Sequence, residues 1–248
     1  MDVSFQLYSS RFIDDQHEFL HTLAGLGYTQ VEGYSDVYGQ PEAFRTAMDL
    51  AGLTMPSGHF ALEALEANFD DQIALTKILG IQHIYIPYLA PQDRPTDTAG
   101  YKALAERMIV LDEKVRAEGV EFGWHNHDFE MEALSDGSIP MDILLTEAPG
   151  ISWEADLAWV QYAGADPAEW LTRYGSRLTS VHVKDLATKG EKLDEDGWAD
   201  VGEGVMDWKA LMAQVRTIAP DALSVIEHDK PSDATRFAST SFNNFQSY

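Results

Sequence analysis

Leu178-Thr179-Ser180-Val181-His182-Val183-Lys184-Asp185 reads as a strand with two chemically different faces. Successive side chains of a strand point to opposite sides, so Val181 and Val183 share one face and His182 and Lys184 share the other. The valines belong under helices, which leaves an imidazole and an ammonium for the opposite face at the strand's C-terminal end. Three further stretches end in the same way: Trp124-His125-Asn126-His127, Trp153-Glu154-Ala155-Asp156 and Val225-Ile226-Glu227-His228-Asp229. Helix-plus-loop lengths separate them. They are therefore expected to be successive strands of one barrel, delivering imidazoles and carboxylates to a common mouth.

Along the rest of the chain, apolar runs of strand length alternate with stretches of helical spacing about eight times. The expected strands are Val3–Tyr8, Thr29–Glu32, a third ending at Gly58-His59, His83–Pro87, Val120–Trp124, Ile151–Asp156, Leu178–Lys184 and Ala222–Glu227. The expected helices start near Asp14 or Asp15 and then cover Pro41–Ala51, Ala61–Leu79, Thr98–Glu118, Pro140–Glu147, Pro167–Tyr174, Asp207–Ile218 and Asp233–Phe245. Gly80 and Gly119 sit where helix stops belong. No Pro- or Ser-rich linker interrupts the pattern, and the first turn, Tyr8-Ser9-Ser10-Arg11-Phe12, lacks the glycines of an open dinucleotide-binding sheet. The reading is a single-domain α/β chain, a (β/α)8 TIM barrel over residues 1–248, a length close to the roughly 250 residues usual for that fold.

Composition excludes several chemistries. There is no cysteine, hence no disulfide, thiolate metal site or cysteine nucleophile. The 41 acidic against 17 basic residues give a formal charge of −24, a surface that repels phosphate backbones. No apolar run approaches the ~20 residues of a membrane span, and the first residues do not resemble a signal peptide. The expectation is a cytoplasmic protein with neither nucleic-acid nor membrane partners, and with homo-oligomerisation left open.

Strand parity selects candidate ligands. Gly123, His125 and His127 are in phase with one another, as are Glu154 and Asp156, with Asp156 nearer the C-terminal rim. Asp156, His182 and Glu227 form an Asp, His, Glu set suited to a divalent cation at ~2.0–2.3 Å. Asp156 could alternatively cap the turn after its strand, and Glu227 could pair with a lysine. Asp207 is read as an N-cap, Gly202-Glu203-Gly204 as a mobile rim loop, and Trp124, Trp159 and Trp208 as either core residues or sugar-stacking platforms.

The runs Gln6-Leu7-Tyr8-Ser9, Gly58-His59, Ile86-Pro87-Tyr88-Leu89, His125-Asn126-His127-Asp128-Phe129-Glu130, Asp156-Leu157-Ala158-Trp159-Val160, Ala163-Gly164-Ala165-Asp166-Pro167, His182-Val183-Lys184-Asp185, Val201-Gly202-Glu203-Gly204 with Asp207-Trp208, and Ile226-Glu227-His228-Asp229 resemble, in order, the sugar phosphate isomerase/epimerase group of xylose-isomerase-like TIM barrels. The resemblance implies one divalent metal, manganese, magnesium, cobalt or zinc, at the C-terminal mouth, and a sugar or polyol substrate. It implies a Glu, Asp, His, Glu ligand set. Asp156, His182 and Glu227 match the last three, whereas the first position is His125, with His127 or Glu130 as alternatives for the fourth ligand. Under it, Glu227 is ligand and general base, His127 a second acid/base, and Lys184 a donor to the substrate oxygen. His59, Tyr88 and Trp159 are expected to line the pocket. Isomerisation or epimerisation of a keto-sugar is the first expectation. Metal-dependent β-elimination from a 3-keto sugar or glycoside is the alternative, because His125 removes half of a symmetric glutamate pair. An endonuclease IV-like nuclease and a metal-free sugar-binding barrel are the remaining readings.

Overall fold

Each apolar run becomes a short parallel strand in the computed structural model, which describes residues 2–248. These strands are β1 (Ser4–Gln6), β2 (Gln30–Gly33), β3 (Thr54–His59), β4 (His83–Ile86), β5 (Glu121–His125), β6 (Ser152–Asp156) and β7 (Leu178–Val183). A two-stranded antiparallel ribbon follows, β8 (Asp185–Leu186) with β9 (Trp198–Ala199), and then the last barrel strand, β10 (Leu223–Ile226). From β1 to β7 each strand pairs with its neighbour in sequence. β10 closes the ring by placing Val225 opposite His182 on one side and Ile226 opposite Phe5 on the other. Closure leaves the eight strands without a free edge.

The apolar core lies between strands and helices. Phe5, Val31, Ile84, Phe122, Trp124, Trp153, Val181, Val183 and Ile226 are all fully buried there. The inside of the ring has a different composition. Gln6, Glu32, Ser57, Glu154, Ser180 and His182 are fully buried polar groups, where such barrels usually stack bulky branched side chains. Gly123 faces this interior, and a Cβ there would meet the Ser152 carbonyl oxygen at 2.6 Å and the Tyr85 ring at 2.9 Å. A polar interior demands a hydrogen-bond partner for nearly every group, and it foreshadows the site above it.

Most helices match the spacing read from sequence. Pro140–Glu147 begins at its proline, whose missing N–H costs nothing in the first turn. Trp208–Ile218 is capped by Asp207, which accepts from the Ala210 amide at 3.1 Å, and Ala234–Phe245 is capped by Asp233.

Three segments depart from expectation. The predicted helix Ala61–Leu79 is two helices, Leu62–Ala67 and Phe69–Leu79, because Asn68 adopts φ −134° between them and Asp70 and Asp71 favour a new N-terminus there. A helix, Leu157–Tyr162, starts directly after β6, with Asp156 Oδ1 accepting from the Ala158 and Trp159 amides. The Gly202-Glu203-Gly204 loop is pinned rather than free: Asp185 accepts backbone N–H bonds from Leu186, Gly202, Gly204 and Met206. No helix among the described residues is long and apolar enough to cross a membrane.

The ribbon's loop is tied to the last helix through Glu195, which accepts from the Ser232 amide and Arg236 Nη2, each at 2.7 Å. Burial pushes the Glu195 carboxyl up, but these bonds and the Arg236 charge outweigh it and hold it well below the usual carboxylate range. A depressed carboxyl contributes stability above its unfolded pKa of about 4.3 and loses it as the pH falls toward the folded value. Glu195→Gln is therefore expected to lower Tm at pH 7, and the gap to wild type should narrow as the pH drops below about 4. A gap that stays constant across a Tm-against-pH series would contradict this.

Candidate metal centre and active site

Neighbouring strands carry the candidate side chains to one end of the barrel. His125 ends β5, Asp156 ends β6 opposite His182 of β7, and Glu227 directly follows β10. One nitrogen or oxygen from each of these four lies within 4.8 Å of the others, and all four are buried. His182 Nδ1 stands 2.9 Å from Glu227 Oε2. Asp156 Oδ2 and His125 Nδ1 are buried and make no hydrogen bond of good geometry, with the Lys184 ammonium 3.5 Å from the first and Glu154 Oε2 3.3 Å from the second. Two imidazoles and two carboxylates converging in this way fit a divalent cation. Asp156 Oδ1 caps the following helix, which leaves Oδ2 for the cluster.

Beneath the mouth lies a second layer. His59 Nε2 is 2.6 Å from Glu154 Oε2, and His182 Nε2 is 2.7 Å from Glu32 Oε1. His59, His125, Glu154 and His182 form another convergent group within the same 4.8 Å limit. Burial lowers the His182 pKa, but the charges of Glu154, Glu227 and Glu32 raise it well above the usual histidine value. Burial and His182 push His125 down to about 3. Burial raises Glu227, yet Lys184 and His182 hold it well below the carboxylate range.

The cavity above encloses about 680 Å³ and is lined by His59, Tyr88, His125, His127, Trp159 and Glu227, together with Tyr8, Tyr34 and Asp229. Among the described residues no lysine or arginine lines it. Trp124 and Trp208 are buried in the core, so of the three tryptophans considered only Trp159 reaches the cavity. His127 packs edge-on to Tyr88 and near Trp159, with Nδ1 buried and unpartnered. Burial, His125 and Lys184 keep it neutral.

Lys184 sits differently from the expected direct donor. It is fully buried, its ammonium lies 2.7 Å from Asp229, 3.4 Å from Glu227 and 3.5 Å from Asp156, and it is covered by the rings of Trp159 and Trp198. Glu130 faces away from the cluster: it accepts from Trp124 Nε1 at 2.9 Å and from the His127 amide at 2.8 Å, bracing the loop after β5. Glu130→Ala would leave both donors buried and unpaired, an expected loss of about 2–4 kcal/mol for two such groups. Metal content should not change, which elemental analysis beside thermal unfolding would check.

Glu32 and Asp229 were not singled out from sequence. Asp229 is two residues beyond Glu227 after the last barrel strand, and Glu32 ends Thr29-Gln30-Val31-Glu32, in which only Val31 is apolar, a weak signal without the contacts of the closed ring.

The sequence profile of the xylose isomerase-like TIM barrel family matches residues 20–243. No curated protein matches the sequence. Among solved structures, a sugar phosphate isomerase/epimerase from Parabacteroides distasonis is similar at TM-score 0.82 and 19% identity, covering 99% of this chain and 93% of that one. The IOLI protein with a bound zinc atom gives 0.81 and 13%, covering 100% and 97%. The 3-keto-D-glucoside 4-epimerase YcjR from E. coli gives 0.75 and 17%, covering 100% of both chains.

Proposed function

This chain belongs to the xylose isomerase-like TIM barrel family, and we propose that it is a divalent-metal-dependent isomerase or epimerase. It acts on a keto-sugar or related polyol by proton abstraction next to a carbonyl. The observation that carries this is the convergence of His125, Asp156, His182 and Glu227, two of which, His125 and Glu227, line a 680 Å³ cavity. Those four side chains would hold the ion. Bound there, it supplies Lewis acidity to a substrate oxygen and so acidifies the adjacent C–H.

The chain's own groups account for the rest. Glu227, held as a carboxylate beside the cavity, takes the proton. His127, neutral and on the cavity wall, exchanges a proton at the neighbouring position. Lys184 offsets the charge of Asp156, Glu227 and Asp229. Tyr88 and Trp159 offer faces on which a sugar ring stacks. A cavity whose described lining has neither lysine nor arginine supports an uncharged sugar over a phosphorylated one. The similarity to a 3-keto-D-glucoside epimerase agrees with this.

A lyase reading is favoured by one feature. Of the four converging residues only His125 and Glu227 line the cavity, so a single carboxylate stands on the substrate side of that set. One base suffices for β-elimination. The test is incubation of manganese-, cobalt- and zinc-loaded protein in D2O with uncharged keto-sugars, 3-keto-glycosides and their phosphorylated counterparts. Deuterium entering a product of unchanged composition supports isomerisation or epimerisation, and release of the aglycone supports the lyase. Absence of both across the panel refutes the proposed chemistry.

A further inference from the structure

Glu32 is fully buried inside the ring and belongs to neither convergent group. Its Oε1 accepts from Gln6 Nε2 at 2.7 Å and stands 2.7 Å from His182 Nε2, while the Ser57 hydroxyl donates to Oε2. Both oxygens are therefore committed. His182 has a carboxylate at each ring nitrogen, Glu32 at Nε2 and Glu227 at Nδ1. Only Glu227 belongs to the mouth set, so the two nitrogens face different tasks.

We propose that Glu32 is a positioning residue for His182. Glu32 Oε1, 2.7 Å from His182 Nε2, occupies that edge of the ring and leaves Nδ1, 2.9 Å from Glu227 Oε2, as the nitrogen that faces the mouth set. Gln6 and Ser57 fix the carboxylate in turn, extending the ligand support through β1, β2 and β3. This rests on the metal reading of the mouth set. The competing use of the inner layer is a second cation among His59, His125, Glu154 and His182. The engagement of His182 Nε2 by Glu32 at 2.7 Å argues against it.

The experiment measures zinc affinity by competition with a chelating dye and counts bound zinc by elemental analysis, for wild type, Glu32→Gln and Ser57→Ala. Nitrogen chemical shifts of 15N-histidine-labelled, zinc-loaded protein report which His182 nitrogen carries the proton. The expected result is one zinc per chain, affinity weakened about 10–100-fold in Glu32→Gln, a smaller loss in Ser57→Ala, and a protonated Nε2 in wild type. Ser57→Ala retains the carboxylate and decides the matter if Glu32→Gln fails to fold. Unchanged affinity in the variants, or a proton on Nδ1, overturns the positioning role alone. Two zinc ions per wild-type chain overturn it in favour of the inner cation site. A wild type that binds no zinc removes the metal reading and this inference together.

Discussion

His182→Ala is expected to lose the bound divalent ion, with affinity reduced by more than the roughly 10–100-fold typical of an outer-shell change. The ring is the one member of the mouth set that also reaches Glu32 and Glu154 from Nε2 while facing Glu227 from Nδ1, so its removal breaks both layers. Activity on any keto-sugar substrate should fall by at least about a thousandfold, since several kcal/mol of charge stabilisation go with the ion. Wild-type protein purified without a metal-binding tag should hold about one ion by elemental analysis. If the alanine variant holds as much, the ligand assignment fails. If wild type holds none after incubation with manganese, cobalt and zinc, a binding barrel becomes the better account.

Lys184→Met should have the largest effect on stability. The substitution keeps much of the aliphatic stem between Trp159 and Trp198 but leaves Asp156, Glu227 and Asp229 without their shared cation. Breaking a buried ion pair on one side costs about 3–5 kcal/mol. For a chain of this size that corresponds to roughly 6–20 °C in Tm. A divalent ion bound beside the same carboxylates offsets part of the loss, so manganese should raise the Tm of the variant more than that of wild type. Differential scanning calorimetry with and without manganese separates the outcomes: an unchanged metal-free Tm would show that Lys184 is not the counter-charge described here.

Much of the fold is legible in the sequence because strand period and chain spacing are local properties. His182 and Lys184 can be assigned to one face from Val181 and Val183 alone, and the helix stops at Gly80 and Gly119 follow from a residue that tolerates positive φ. The break at Asn68 escapes such a reading because the helical spacing on either side is continuous. The ribbon around Trp198 escapes it because two-residue strands carry no period.

The alternation of strands and helices, the closed (β/α)8 class and the side chains that end each strand all follow from the order of residues in this chain. Only the folded ring reveals that Glu130 braces a loop, that Lys184 is enclosed by three carboxylates and two indoles, and that Glu32 stands behind His182 across 150 residues of chain. Period fixes the face of a strand on which a side chain lies. Partners within a closed ring depend on the register between strands, which no single segment encodes.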